Sequence, residues 1–143
     1  MKLIFVCTGN TCRSPMAEGL FKKLLKERNI NDIDCSSAGL AAYDGSAAAP
    51  NAIAAAEELG ADISAHSSRL LTSADALNAD LIVCMTQEHC EVLCTVLPEE
   101  KISLLGCGIN DPYGGDIDVY RACAKKIEQA LTELLEELAS KGK

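Results

Sequence analysis

The N-terminal residues 2–18 combine a strand, a loop and a helix start without interruption, and this constrains the fold more than any other part of the chain. Residues 3–6 (LIFV) form a short apolar run typical of a buried parallel strand. The loop of residues 7–13 contains consecutive glycine and asparagine, the residue types that most readily adopt positive φ. Ser14 is suited to cap a helix, and Pro15 to occupy its first position.

A strand–loop–helix turn of this kind predicts a site for an anion. It directs backbone N–H groups, and the positive end of a helix dipole, into one small concave surface. Cys7 lies at the entrance of this loop and Arg13 closes it. We therefore expect a bound oxyanion to be contacted by Arg13 and by the other loop residues, which are Thr8, Gly9, Asn10, Thr11, Cys12 and Ser14.

Strand-like and helix-like segments alternate along the rest of the chain. The predicted strands cover 3–6, 33–37, 80–85 and 101–105, and the predicted helices cover 16–28, 50–60, 73–77, 87–97 and the segment that starts near 117. This order predicts an α/β fold, with a four-stranded parallel sheet, helices on both faces and the phosphate-binding loop after strand one. No linker or internal repeat interrupts the pattern, so residues 1–143 are predicted to form one domain.

The predicted topology brings distant loops together. Ligands of open parallel sheets bind beyond the carboxyl ends of the strands. The loop that starts at Cys7 follows strand one, residues 38–46 follow strand two, and residues 106–115 follow strand four. We therefore expect Asp111, in the last of these loops, to lie on the same edge of the sheet as Cys7.

The residue types on this edge are suited to phosphoryl transfer. The helix N-terminus, Arg13 and the Ser14 hydroxyl all favour a thiolate at Cys7, which then acts as a nucleophile without a histidine base. The planar fork of Arg13 fits two oxygens of a tetrahedral oxyanion. Asp111, followed by Pro112, is the candidate general acid for the leaving group and the later base for water. Neither a metal nor another cofactor is expected.

Composition limits the remaining functions. The formal net charge of −8 argues against general binding to nucleic acid or to acidic membranes. The sequence predicts no secretory signal and no transmembrane span, so we expect a cytoplasmic protein whose eight cysteines are reduced. The cysteine spacings do not favour a structural zinc site. The oligomeric state is not predicted by any pattern in the sequence.

The motifs VCTGNTCRSP (residues 6–15) and DPY (residues 111–113) resemble those of the low-molecular-weight protein-tyrosine phosphatase family. The resemblance covers nearly the whole chain, including residues 37–39, 81–85 and the long final helix. It implies a phosphatase that acts on phosphorylated proteins, with Cys7 as the nucleophile, Arg13 as the phosphate clamp and Asp111 as the general acid and base. It also implies a network that holds the loop in shape, made of Asn10, Ser37 and His66.

The position of Thr11 favours one branch of that family. Many tyrosine phosphatases of this type carry a bulky aliphatic residue there, whereas the loop of this chain looks like that of the protein-arginine phosphatases. A hydroxyl at this position could hydrogen-bond the guanidine of phosphoarginine or the attacking water. Tyr43 and Tyr113 are candidate walls of the substrate slot. Tyr113 departs from the arginine branch, which often has phenylalanine there, and it keeps a protein-tyrosine phosphatase as the alternative.

The other cysteines allow different readings. Cys12 either packs under the loop or forms a reversible disulfide with Cys7. Cys84, Cys90 and Cys94 are either structural or, by resemblance to thioredoxin-coupled arsenate reductases, part of a disulfide relay. A module that binds phosphoproteins or senses redox state without turnover is the non-enzymatic alternative.

Overall fold

An all-parallel sheet of four strands, in the order β2-β1-β3-β4, forms the centre of the molecule. Its strands are β1 (Lys2–Cys7), β2 (Asp34–Gly39), β3 (Leu81–Cys84) and β4 (Ile102–Leu104). The structure is a computed structural model that describes residues 1–141. The predicted fold class is confirmed, although the last two residues of the predicted domain 1–143 lie outside the described part of the chain.

Within residues 1–141, five α-helices connect and flank the strands. They are α1 (Arg13–Glu27), α2 (Pro50–Glu58), α3 (Ser73–Asn78), α4 (Gln87–Cys94) and α5 (Ile117–Lys141), and a single 3-10 turn, Glu99–Lys101, precedes β4. Thr72 caps α3 and Thr86 caps α4, each by accepting a hydrogen bond from a backbone N–H three residues later.

Alternate residues of β1 enter two separate apolar clusters, one on each face of the sheet. Leu3, Phe5 and Cys7 pack with α1, α2 and α5 in the larger cluster, where the rings of Phe5 and Phe21 meet edge to face at 5.4 Å. Ile4 and Val6 pack with α3 and α4 in the smaller cluster. Cys7 is therefore on the face covered by α1, α2 and α5, whereas Cys84 and Cys90 belong to the cluster on the opposite face.

The strand and helix boundaries differ from the prediction at several ends. Helix α1 begins at Arg13 rather than at 16, so Ser14 is inside the helix and is not its cap. Strand β2 runs to Gly39, two residues beyond the predicted end. Helices α2 and α4 end earlier, at Glu58 and Cys94. The first difference matters most, because it frees the Ser14 hydroxyl to interact with the loop.

The register of the sheet sets the position of the candidate site. Cys7, the last residue of β1, is paired with Gly39 of β2, and Val6 is paired with Cys84 of β3. The loops that leave these strands consequently start side by side. Within residues 1–141, no helix is both long enough and apolar enough to cross a membrane.

Candidate active site

The loop between β1 and α1 begins with a buried cysteine. Cys7 is only 3% exposed, and its Sγ lies 2.9 Å from Ser14 Oγ in the first turn of α1. The Asn10 side-chain amide donates to the same Ser14 oxygen at 2.7 Å. Because that oxygen is an acceptor for Asn10, the Ser14 hydrogen is free to point at the Cys7 sulfur. This arrangement allows the donation from Ser14 to the Cys7 sulfur, which stays a prediction.

Asn10 holds the loop from inside. It is fully buried, and its φ of 57° lies in the left-handed region that asparagine tolerates better than most residues. Besides Ser14, its amide nitrogen donates to Ser37 Oγ at 3.0 Å, and its Oδ1 accepts from the Arg69 backbone N–H at 3.0 Å. One side chain therefore connects the loop to β2 and to the segment that follows α2.

Two further groups complete this network. His66 Nε2 donates to the Asn10 carbonyl at 2.8 Å. Ser37, which accepts from Asn10, donates in turn to Glu18 of α1 at 2.6 Å. The structure brings together the three predicted network residues, Asn10, Ser37 and His66. Glu18 was not predicted, although it is the last residue of the N-terminal stretch 2–18.

Arg13 extends from the start of α1 toward the loop after β4. Its Nη1 donates to the Ile109 carbonyl at 3.0 Å, and its Nη2 lies 3.6 Å from Asp111 Oδ2. The residue is only 4% exposed, and its buried Nε has no hydrogen-bond partner. A buried guanidinium N–H without a partner is costly. An oxyanion bound in the loop would supply the missing acceptor.

Asp111 lies at the rim, as the topology predicts, and its side chain is about half exposed at 52%. Its Oδ1 accepts from the Tyr113 backbone N–H at 3.1 Å, an Asx turn that orients the carboxylate. The opposite oxygen faces Arg13. Tyr113 and Tyr43, the predicted walls of the slot, are 80% and 86% exposed. Both rings are therefore exposed to solvent, and their role as walls of the slot stays a prediction.

Thr11, on which the sequence-based prediction of the arginine branch rests, keeps its hydroxyl available. Its Oγ1 has only a long contact of 3.9 Å with the Cys12 sulfur. The main-chain carbonyl of Thr11 is fixed by the Ala49 N–H at 2.8 Å, just before α2 begins. A Cβ built on Gly9 would come within 3.7 Å of the Thr11 hydroxyl, so these two loop residues face each other.

Cys12 has a partner that was not predicted. Its Sγ lies 3.4 Å from the Tyr120 hydroxyl on α5, a residue that the sequence assigns to the apolar stripe of the helix. Burial raises the pKa of the Cys12 thiol, and burial together with the hydrogen bond to Cys12 raises the pKa of Tyr120. The raised pKa favours the protonated thiol at Cys12, and its disulfide with Cys7 stays a prediction.

A contact between Thr8 and His89 was also not predicted. Thr8 Oγ1 and His89 Nε2 are 2.9 Å apart, and they connect the residue after Cys7 to the first turn of α4. The rule that placed the loops after β1, β2 and β4 on one edge applies equally to β3. Extending it to the residues after strand three would have brought His89 to this edge.

The remaining predicted cysteines lie on the other face of the sheet. Cys84 is fully buried and, together with Cys90, belongs to the smaller apolar cluster, whereas Cys94 is exposed. Burial raises the pKa of the Cys84 thiol and that of Cys90. Cys7 belongs to the larger cluster, so the sheet separates its sulfur from the Cys84 side chain.

The sequence of this chain is similar to those of known phosphatases. A protein-arginine-phosphatase of Bacillus subtilis is 35% identical, over 96% of this chain and 97% of its own. The low molecular weight protein-tyrosine-phosphatase Wzb of Escherichia coli is 34% identical, over 95% of this chain and 94% of its own.

A solved structure shows the same architecture. It is that of the YwlE arginine phosphatase, in a cysteine-to-serine variant whose active-site serine is phosphorylated. It superposes with a TM-score of 0.90 at 36% identity, covering 97% of this chain and 96% of that one. Residues 2–143 match the family described as low molecular weight phosphotyrosine protein phosphatase. The chain therefore belongs to the low molecular weight phosphotyrosine protein phosphatases, a family of cysteine-based phosphatases.

Proposed function

We propose that this chain is a protein phosphatase that hydrolyses phosphoarginine on protein substrates through a phosphocysteine intermediate at Cys7. The main support for phosphatase activity is the buried Nε of Arg13, which has no hydrogen-bond partner and lies beside the loop between β1 and α1. A phosphoryl group is dianionic and tetrahedral, and it can accept from this Nε and from the loop N–H groups at once.

The first step transfers the phosphoryl group to sulfur. The Cys7 thiolate, stabilised by the Ser14 hydroxyl at 2.9 Å, attacks phosphorus in line with the leaving group. An S–P bond forms and the P–N bond to the arginine side chain breaks. Asp111 donates the proton that the departing guanidine nitrogen requires, from a position 3.6 Å from the clamp residue Arg13.

The second step regenerates the enzyme. The Asp111 carboxylate, now deprotonated, accepts a proton from a water molecule. The resulting hydroxide attacks phosphorus, the S–P bond breaks, and orthophosphate and the Cys7 thiolate are released. Arg13 and the loop N–H groups hold the equatorial oxygens throughout, so both transition states use the same donors.

The preference for phosphoarginine rests on Thr11. Its hydroxyl lacks a strong partner in the structure, so it is free to hydrogen-bond the guanidine or the attacking water. An isoleucine would place only apolar bulk there. The similarity to a protein-arginine-phosphatase and to the YwlE arginine phosphatase structure supports the same assignment.

A comparison of kcat/KM on phosphoarginine and on phosphotyrosine tests the substrate. We expect phosphoarginine to be preferred, and a strong preference for phosphotyrosine would contradict the proposal. Thr11→Val removes the hydroxyl at nearly constant shape, and Thr11→Ser is the matched control that retains it. A lost hydrogen bond to a charged group corresponds to about 1.5–3 kcal/mol, so Thr11→Val should lower phosphoarginine turnover by roughly tenfold to 150-fold relative to phosphotyrosine.

Phosphotyrosine is the second candidate substrate, and one observation favours it. Tyr113 stands at the rim with 80% of its surface exposed, where it could stack on a phosphotyrosine ring. The similarity to Wzb of Escherichia coli points the same way. Thr11→Ile provides the discriminating variant, because it should raise phosphotyrosine turnover relative to phosphoarginine if Thr11 selects the substrate.

The arsenate-reductase relay is less compatible with the geometry. A disulfide between Cys7 and Cys84 requires both sulfurs on one side of the sheet, but they belong to clusters on opposite faces. Thioredoxin-dependent arsenate turnover that is lost in Cys90→Ser would nevertheless establish that activity.

We further propose a cytoplasmic location and phosphorylated proteins as the partners, without nucleic acid or membrane binding. All eight cysteines are free thiols in the structure, which suits a reducing compartment. The net charge of −8 disfavours phosphate backbones as general ligands.

A further inference from the structure

His89 is a buried histidine directly beside the phosphate-binding loop, outside the Asn10 network. It is the third residue of α4 and only 8% exposed. Its Nε2 contacts Thr8 Oγ1 at 2.9 Å. Thr8 immediately follows Cys7 in sequence, so this contact reaches the loop at its first residue after the cysteine.

Thr8 is held from both sides. On the β2 side, the Leu40 N–H donates to the Cys7 carbonyl and the Ala41 N–H donates to the Thr8 carbonyl, both at 3.0 Å. The approach there is so close that a Cβ on Gly39 would come within 2.6 Å of the Thr8 carbonyl oxygen. On the β3 side, the only side-chain hydrogen bond to Thr8 in the described part of the chain is that of His89. The peptide unit after Cys7 is therefore clamped between two neighbouring loops.

The other ring nitrogen of His89 indicates which tautomer is present. Nδ1 is buried and has no partner. An unpaired N–H in a protein interior is rarer than an unpaired acceptor, so the proton belongs on Nε2. Nε2–H then donates to Thr8 Oγ1, and the hydroxyl hydrogen of Thr8 is left for another acceptor.

The charges around His89 favour the neutral ring. Burial lowers the pKa of His89, and the nearby Arg13 guanidinium lowers it further. Glu88 on α4 and Asp111 on the loop after β4 act in the opposite direction without reversing the shift. The lowered pKa favours the neutral ring, in agreement with its unpaired Nδ1.

We propose that neutral His89 is a positioning residue for the phosphate site, donating from Nε2 to the Thr8 hydroxyl and thereby fixing the Thr8 N–H toward a bound oxyanion. This inference rests on the proposed phosphatase function but not on the choice between phosphoarginine and phosphotyrosine. His89 does not touch the reacting atoms. It acts through Thr8, by keeping one of the loop donors oriented before the phosphoryl group arrives.

Four variants test the proposal. Thr8→Val removes the hydroxyl of an exposed side chain and should fold normally. His89→Leu removes the ring donor, His89→Gln keeps an amide donor at similar reach, and the double variant carries Thr8→Val with His89→Leu. The measurements are kcat/KM on p-nitrophenyl phosphate, the inhibition constant of orthophosphate and the melting temperature.

We expect Thr8→Val and His89→Leu each to lower kcat/KM about tenfold and to weaken orthophosphate inhibition in parallel. The double variant should resemble either single one, because both remove the same hydrogen bond. His89→Gln should recover most of the activity. Imidazole ¹⁵N shifts in the wild type should show the proton on Nε2, and Thr8→Val should change the Nε2 shift.

Normal kcat/KM in Thr8→Val would overturn the proposal, as would multiplicative losses in the double variant. If His89→Leu fails to fold, Thr8→Val and His89→Gln decide the question. The two proposals fail in different ways: a wild type that hydrolyses no aryl phosphate and no phosphoarginine contradicts the phosphatase function, whereas an active wild type with a normal Thr8→Val variant contradicts only the role of His89.

Discussion

Replacement of Asn10 by alanine should be among the most damaging single changes in the phosphate loop. The side chain makes three hydrogen bonds, to Ser14, to Ser37 and from the Arg69 N–H. At about 1 kcal/mol each, their loss removes about 3 kcal/mol from the free energy of unfolding. Alanine also tolerates the φ of 57° less well than asparagine, which adds about 1 kcal/mol.

Two matched variants separate these contributions. Asn10→Gly removes the three bonds but relieves the backbone strain, so it should lose about 3 kcal/mol rather than about 4. Asn29 provides the control for strain alone, because it has a φ of 55° at the exposed end of α1 and makes no side-chain hydrogen bond in the described structure. Asn29→Ala should therefore lose only about 1 kcal/mol.

Urea unfolding gives these free energies directly, and thermal melting gives a second measure. A loss of about 4 kcal/mol should lower the melting temperature by roughly 12 °C in a domain of this size. Orthophosphate should raise the melting temperature of the wild type but not that of Asn10→Ala, because the loop that binds it is no longer held in shape. An Asn10→Ala variant as stable as Asn29→Ala would refute the reasoning.

Two other features give simpler predictions. Arg13→Lys should lower kcat/KM on p-nitrophenyl phosphate by about 10²–10³, because lysine keeps the charge but cannot replace the Nε and Nη donors together. The control is Arg121→Lys, which changes an exposed arginine paired with Glu58 and should leave kcat/KM unchanged. Although burial opposes it, hydrogen bonds from Thr72 and Arg69 lower the pKa of Asp75 from its usual 3.8. Its contribution to stability is therefore fully present above pH 3.8 and lost as the pH falls through the lower folded-state pKa. The difference in melting temperature between the wild type and Asp75→Asn should persist at pH 7 and disappear in strong acid, and a difference independent of pH would contradict this assignment.

The local patterns of the sequence are sufficient to predict the order of the strands and helices. Short apolar runs and helical periodicity are properties of neighbouring residues, and the rule that parallel strands are joined by crossovers then places their carboxyl ends together. This is why the sequence could place Asp111 on the same edge of the sheet as Cys7, about a hundred residues away. The predicted start of α1 was wrong because serine before a proline is typical of a helix cap. In the structure, the Ser14 hydroxyl instead contacts the Cys7 sulfur and accepts a hydrogen bond from Asn10.

Side-chain pairs between elements could not be predicted in the same way. The contact of Cys12 with Tyr120 depends on how α5 lies against the loop, and helical periodicity marks Tyr120 only as a buried position. The contact of Thr8 with His89 depends on the distance between the ends of β1 and β3 and on the first turn of α4. Such pairings follow from packing angles and rotamers, which no local pattern of residues specifies.

Sequence patterns predicted the family and the parallel sheet, and they pointed to Cys7, Arg13 and Asp111 as the proposed centre of the site. These depend on residue types at fixed spacing and on the direction of the strands. Only the packed structure decides which face of the sheet the buried cysteines occupy, which donor of Arg13 has no partner, and that His89 contacts Thr8. The reason is that burial and hydrogen-bond satisfaction are properties of the packed chain, since each depends on residues far apart in sequence.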